Sequence, residues 1–247
     1  KGTFTYAHNK VLEYDEPAFQ KYPNISRVGH SVDQQLLYIA ERLFIDDSEV
    51  QRNPKQNLGG WVSGGDIKYK NLPDVNGNYD NVIDSNDRQY TGMPTTPEIV
   101  YGFGPSFRYK KFDFSFFFQG AARVSIMMNG IHPFGAEGTR NVLQFIADDY
   151  WSETNQNIYA EYPRLSKRDN ENNTKASTYW QRNGAFLKLK NLEVGFNHKF
   201  FRVYLRGSNL LTFSPFKYWD PEMGSGSGLS YPTQRVFNVG VQFSINK

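Results

Sequence analysis

The densest run of oxygen donors in the sequence is Asp74-Val-Asn-Gly-Asn-Tyr-Asp-Asn-Val-Ile-Asp-Ser-Asn-Asp87. Hard oxygen ligands that recur around a Gly or Asn turn are the donor set of a calcium loop. In that reading Asp74, Asn76, Asp80, Asp84 and Asp87 offer side chains and Val82 offers its carbonyl. The spacing departs from the regular loop. Asn78 and Tyr79 stand between the second and third ligands, Asn81 occupies the place usual for Gly, and no Glu closes the ring. An Asx-rich turn that holds no ion accounts for the same residues, so both readings stay open. If calcium binds, its role is structural, and no cofactor is otherwise required.

Catalytic chemistry has little footing. His8, His30, His132 and His198 are scattered, Cys is absent, and neither a His-Glu-x-x-His nor a nucleophile-elbow pattern occurs. Asp148-Asp149 beside Trp151 could be cast as a glycosidase pair, but adjacent carboxylates near a helix end are more simply a solvated acidic patch. Gly102-Phe-Gly104 lacks the following helix of a nucleotide loop. No enzyme is expected.

Aromatic residues in the irregular stretches are the remaining candidates for ligand contact: Trp61, Trp151, Trp180, Tyr218 and Trp219, with Tyr150 and Tyr179 beside them. Such rings stack on sugars and other amphipathic ligands or on a covering partner, and they also pack loops together or girdle a membrane interface.

The elements that would position these residues are β-strands. The chain has 247 residues, 38% apolar and 16% aromatic, with a net charge of +3. Mean hydropathy is −0.64, and no run approaches the ~18 apolar residues of a transmembrane helix. So modest a charge gives no reason to expect nucleic acid as a partner. The lack of Cys excludes disulfides and thiolate metal sites without deciding the compartment. The sequence opens on Lys1 with no leader pattern, as expected of a processed terminus or a cut within a longer protein.

Period-two alternation marks the strands. Phe112, Phe114, Phe116 and Phe118 share one parity, with Asp113, Ser115 and Gln119 between them; Phe117 falls on the polar side. Phe237, Val239, Val241, Phe243 and Ile245 repeat the pattern against Asn238, Gly240, Gln242 and Ser244. Residues 99–109 and 202–213 alternate likewise, and residues 3–12 form a weaker strand candidate. In 186–196 the parity changes midway, from Leu187 and Leu189 to Leu192, Val194 and Phe196, which predicts a bulge near Lys190 and Asn191. A helix is expected over 139–150, capped by Thr139 with Val142, Leu143, Phe145 and Ile146 as its apolar stripe.

Links between strands alternate in length. Lys110-Lys111 and 197–201 are tight turns, whereas 13–97, 121–184 and 214–233 are long excursions. Short turns at one end and long loops at the other are the signature of a transmembrane barrel. A soluble sandwich, its apolar face packed on a second sheet, is the competing origin of the alternation. Inward placement of Arg108, Asp113, Gln119, Arg202, Arg206, Asn238 and Gln242 favours the barrel, whose lumen can solvate them. In that case Phe112, Phe114, Phe116, Phe118, Phe237, Val239, Val241 and Phe243 face lipid.

Several ordered motifs carry a resemblance. Gly65-Asp-Ile-Lys-Tyr-Lys70, Asp74-Val-Asn-Gly77, Ile83-Asp-Ser-Asn-Asp-Arg88, Pro97-Glu-Ile-Val-Tyr-Gly102 and Phe112-Asp-Phe-Ser-Phe116 come first. Tyr162-Pro-Arg164, Phe186-Leu-Lys-Leu-Lys-Asn-Leu-Glu-Val-Gly195, Gly207-Ser-Asn-Leu-Leu-Thr-Phe213 and Trp219-Asp-Pro-Glu222 follow. In this order they resemble the C-terminal part of SusC-like TonB-dependent transporters of Bacteroidetes type.

The resemblance implies an all-β fold that is part of a large antiparallel transmembrane barrel, with long extracellular loops. A barrel of that size has about 22 strands, and about six are legible here. Residues 1–247 are then expected to be a C-terminal barrel segment that lacks the plug domain and the N-terminal strands. The implied partners are the rest of the barrel and its plug, a SusD-like surface lipoprotein, TonB acting through the plug, and outer-membrane lipid. The implied location is the outer membrane of a Gram-negative bacterium, and the implied function is import of an oligosaccharide or peptide. A surface-exposed glycan-binding or adhesin module without transport is the alternative.

Overall fold

The computed structural model describes residues 1–131, 133–134, 141–167 and 170–244. His132, Thr139 and Ile245, used above, lie outside them. Strand β1 (Gly2–Tyr6) leads into a long excursion holding β2 (Gln35–Tyr38), β3 (Ala40–Leu43), helix α1 (Asp47–Arg52), β4 (Lys55–Gln56), β5 (Ile67–Tyr69), β6 (Val82–Ile83) and β7 (Arg88–Thr91). Next come β8 (Ile99–Phe103), β9 (Ser106–Tyr109) and β10 (Phe112–Ala122). A second excursion carries β11 (Ser125–Met127), the one-turn helices α2 (Gln144–Asp148) and α3 (Glu171–Thr174), and β12 (Gln181–Asn183). After β13 (Phe186–Asn197) and β14 (Phe201–Phe213), a third excursion with a 3-10 turn at Pro221–Met223 returns to β15 (Val236–Phe243).

One antiparallel sheet of seven strands dominates, in the order β1-β8-β10-β13-β14-β15, with β9 also on β10. β8 and β9 are one strand interrupted at Gly104-Pro105, because Phe103 opposes Phe118 and Ser106 opposes Ser115 in a single register. Proline has no N–H to give the ladder, which suits it to such a break. Tyr109 opposes Phe112, so Lys110-Lys111 is a two-residue hairpin, with Lys110 at φ 53°. The His198 N–H donates to the Phe201 carbonyl at 2.7 Å and closes the second tight turn.

Register places the apolar residues of neighbouring strands side by side. Phe114 opposes Val194, Val194 opposes Leu205, and Leu205 opposes Val239. Phe112, Phe196, Val203 and Val241 form the next row. The parity change in β13 is a bulge as expected: Phe117 opposes Asn191 while Phe118 opposes Leu189, leaving Lys190 unpaired. A one-residue offset of this kind keeps both halves of the strand facing the same way.

Two expectations need correction. The first strand stops at Tyr6 rather than running to Leu12, because the Val11 N–H donates to the His30 carbonyl and the Val11 carbonyl accepts from Gly29. The helix expected over 139–150 spans only Gln144–Asp148. Leu143 at its start supplies no side-chain cap, and Tyr162 donates to the Asp149 carbonyl while Trp151 donates to that of Tyr162, drawing the chain out straight.

The core lies in the excursions rather than in the sheet. Leu37, Leu43, Tyr69 and Ile83 from the first pack with Ile126, Met127, Ile146 and Tyr162 from the second and Phe216 from the third. Small sheets β2-β7, β3-β5, β4-β6 and β11-β12 brace this head. Its apolar burial, at roughly 25 cal/mol per Å², holds three loops of unrelated sequence position in one arrangement.

Candidate functional site

The polar face of the sheet is paired rather than merely hydrophilic. Arg202 Nη2 on β14 lies 2.5 Å from Asp113 Oδ1 on β10 and 2.7 Å from Glu193 Oε1 on β13, and Arg206 Nε lies 3.1 Å from Glu193. Asn197 also donates to Asp113. Gly195, directly opposite Asp113, leaves room for this layer, since a Cβ there would meet the Asp113 carboxylate at 2.6 Å. Further along the same face Phe117 lies over Gly102, whose absent side chain makes space for the ring. Phe117 thus points away from its four phenylalanine neighbours, as its parity requires.

At the loop end of this face the third excursion folds back onto the wall. Lys188, on the inward side of β13 and 1% exposed, contacts Asp220 and lies 2.8 Å from Glu222, while Lys190 from the bulge lies 2.6 Å from Glu222. Asp220 caps the 3-10 turn by accepting from the Glu222 N–H at 3.1 Å. Burial pushes both carboxyls upward, but the Lys188 ammonium outweighs it, together with the Glu222 N–H for Asp220 and with Lys190 for Glu222, and both end below the ordinary carboxylate range.

Inside the head, Asp66 is fully buried. Arg164 Nε lies 2.8 Å from its Oδ1, and the Ser63 N–H and Asn173 amide donate to it at 2.9 Å and 2.8 Å. Burial is the largest influence on this carboxyl and raises it despite Arg164. Asn172 donates to the Ile67 carbonyl at 3.0 Å, and Trp180 Nε1 donates to the Asn173 carbonyl at 2.7 Å. The network ties the first excursion to the second through buried polar groups.

The candidate aromatics divide. Trp151 and Trp180 are each 6% exposed and belong to the core of the head, which leaves little of either ring for a ligand. Tyr218 and Trp219 are half-buried against that core; Tyr218 donates to Glu161, and Trp219 Nε1 donates to the Gly224 carbonyl at 3.0 Å. Trp61 is 65% exposed, with the Arg164 guanidinium 4.0 Å from its ring. It borders a cleft of about 580 Å³ that also takes in Asp47, Glu153 and Gln156.

The oxygen-rich run folds as a series of turns. Asp74 accepts from the N–H groups of Asn76 and Asn78, Asp80 from Val82, and Asp84 from Asn86. Asp87, 3% exposed, accepts from Leu72 at 2.6 Å and Asp84 at 2.8 Å, and its burial raises it. Among the described residues no three acidic or His side chains gather as a metal cage would require. Asp74, Asp80 and Asp84 each close an Asx turn onto the N–H two residues on.

The expected lipid row, Phe112, Phe114, Phe116 and Phe118 with Phe237, Val239, Val241 and Phe243, lies on one face. Phe112 is 56% and Phe243 77% exposed. Sequence reasoning did not single out Lys188, Asp220 and Glu222 as a cluster. The signal was present: Lys188 holds the parity of inward side chains on a strand otherwise rich in leucine.

An antiparallel sheet with one apolar and one ion-paired face, tight turns at one end and folded loops at the other, defines a segment of a large β-barrel wall. In sequence the chain is 30% identical over 191 residues, 68% of its length, to TonB-dependent receptor P3 of Formosa agariphila. It is 29% identical over 246 residues to TonB-dependent receptor P26 of the same organism, a match over 85% of its length. In fold it is similar to the RagAB peptide importer in the open-open state, with a TM-score of 0.65, 18% identity and 99% of the chain covered. The closed-closed state gives a TM-score of 0.63. No family model matches. The chain spans 18% and 24% of the two receptors' lengths and 26% of the open-open structure's. Its sequence and fold match part of the barrel of a SusC-like TonB-dependent receptor.

Proposed function

We propose that this segment serves active import of a nutrient, oligosaccharide or peptide, across the outer membrane of a Gram-negative bacterium. The observation that carries the reading is the two-faced wall. Phenylalanine and valine rows suit lipid, and the Asp113–Arg202–Glu193 layer suits a wet lumen. The rest of the barrel and its plug complete the channel, a SusD-like lipoprotein covers the loop head, and TonB supplies the work through the plug. Here the chain contributes wall, lumen lining and loop contacts to cargo and lid, with Trp61, Tyr218 and Trp219 as the aromatics still reachable. A non-transporting surface module would need the apolar face packed on a second sheet, whereas Phe112, Phe237, Val239 and Phe243 on that face are exposed. Uptake of labelled oligosaccharides and peptides by cells carrying the complete receptor, with and without TonB, tests the reading. TonB-dependent accumulation of one class supports it. Equal surface binding with no accumulation in either strain overturns it.

A further inference from the structure

The polar face turns apolar where the third excursion folds back. Val100 and Ala121 oppose one another there, as do Ala121 and Phe186, all with inward parity. With Ile126 and Pro221 they line a pocket of about 260 Å³. Its lip is the Pro221–Met223 turn, pinned to the wall through Glu222 and Lys188. The pocket is smaller than the ~300–1,000 Å³ that take a whole drug-sized ligand, so it suits one side chain.

Two polar groups in the lining are uncommitted. The Gln119 carboxamide and the hydroxyl of Ser125, itself 5% exposed, have no hydrogen-bond partner among the described residues. The charge at the lip is already matched, because Glu222 holds Lys188 and Lys190. A sugar ring would press hydroxyls against Val100, Ala121, Ile126 and Pro221, where nothing bonds them. An apolar side chain flanked by one amide satisfies both walls and polar groups.

We propose that this pocket is a specificity subsite for one apolar side chain, of leucine to phenylalanine size, in a peptide cargo, with Gln119 and Ser125 bonding the adjoining amide. The assignment rests on the import reading for delivery of the cargo, while the pocket's selectivity is measurable without transport. The test is a saturation-transfer NMR titration of the complete receptor in detergent with N-acetyl-leucinamide, N-acetyl-serinamide and maltotriose. N-acetyl-leucinamide is expected to bind about tenfold or more tightly than the other two. Val100→Trp, which fills the pocket, should abolish the difference. Val100→Thr, which keeps the shape of the side chain but adds a hydroxyl, should reduce it, and Gln119→Ala should weaken leucinamide binding about fivefold. Equal binding of maltotriose, or leucinamide binding unchanged in both Val100 variants, overturns the proposal. TonB-dependent uptake measured alongside separates the two readings. Selective binding without uptake removes import and keeps the pocket, whereas uptake with unaltered selectivity in Val100→Trp removes the pocket and keeps import.

Discussion

Lys188 Nζ lies 2.8 Å from Glu222 although the two are 34 residues apart and the lysine is 1% exposed. An ammonium rooted in a wall strand is thereby neutralised by the loop that folds back onto it. Lys188→Met leaves Asp220 and Glu222 without their buried partner, a loss of about 1–3 kcal/mol. Lys190→Met, at a more exposed position, should cost about 0–1 kcal/mol. Limited proteolysis at Gly224–Gly228 checks this: faster cleavage in the Lys188 variant alone is expected, and equal rates in both would dissolve the latch.

The same carboxylates give a pH dependence. Asp220 and Glu222 lie below their ordinary range, and Glu49, which pairs with Arg42 and Lys68, falls from 4.5 to about 2 although burial pushes it upward. Groups depressed on folding contribute stability that is fully present above their unfolded values and lost as pH falls through the folded ones. The head should therefore hold its protease resistance down to about pH 4.5 and lose it between there and about pH 2. A head that keeps its full protease resistance down at about pH 2 would contradict the assignment.

Substitution across the two faces should be asymmetric. Phe116→Arg places a charge on the apolar row and should cost about 2–4 kcal/mol if that row meets lipid at the bilayer midplane. Ser115→Arg, one residue away on the ion-paired face, should cost far less. Denaturant unfolding of the refolded receptor in lipid measures both, and equal costs would deny the division into faces.

Asp87 accepts the backbone N–H groups of Leu72 and Asp84. Asp87→Ala strands the N–H groups of Leu72 and Asp84, a cost of about 1–3 kcal/mol. Calcium or a chelator should leave the melting temperature of the wild type unchanged. A rise with calcium that disappears in Asp84→Ala with Asp87→Ala would contradict this and establish the ion site.

The wall was legible because a strand with one apolar face writes its period into every second residue; even the bulge at Lys190 showed as a parity change. The head was not. β4 and β6 are two residues each and carry no period, and α2 is a single turn set by the pairing of Trp151 with Tyr162. Trp151 and Trp180 look like surface aromatics in sequence, since only long-range packing buries them. The lysine latch and the apolar pocket likewise join residues far apart in the chain, which no local pattern encodes.

The alternation of faces is the measurement on which the account turns. Single cysteines can be placed through 112–119 and 187–196, in a segment itself free of Cys, of a complete receptor with any other cysteines replaced, and reacted with a membrane-impermeant thiol reagent in lipid. The account predicts labelling at 113, 115 and 119, protection at 112, 114, 116 and 118, and a phase slip at Lys190 so that 187 and 189 are protected with 192, 194 and 196. Uniform labelling, or a period that passes through Lys190 without the slip, would contradict it.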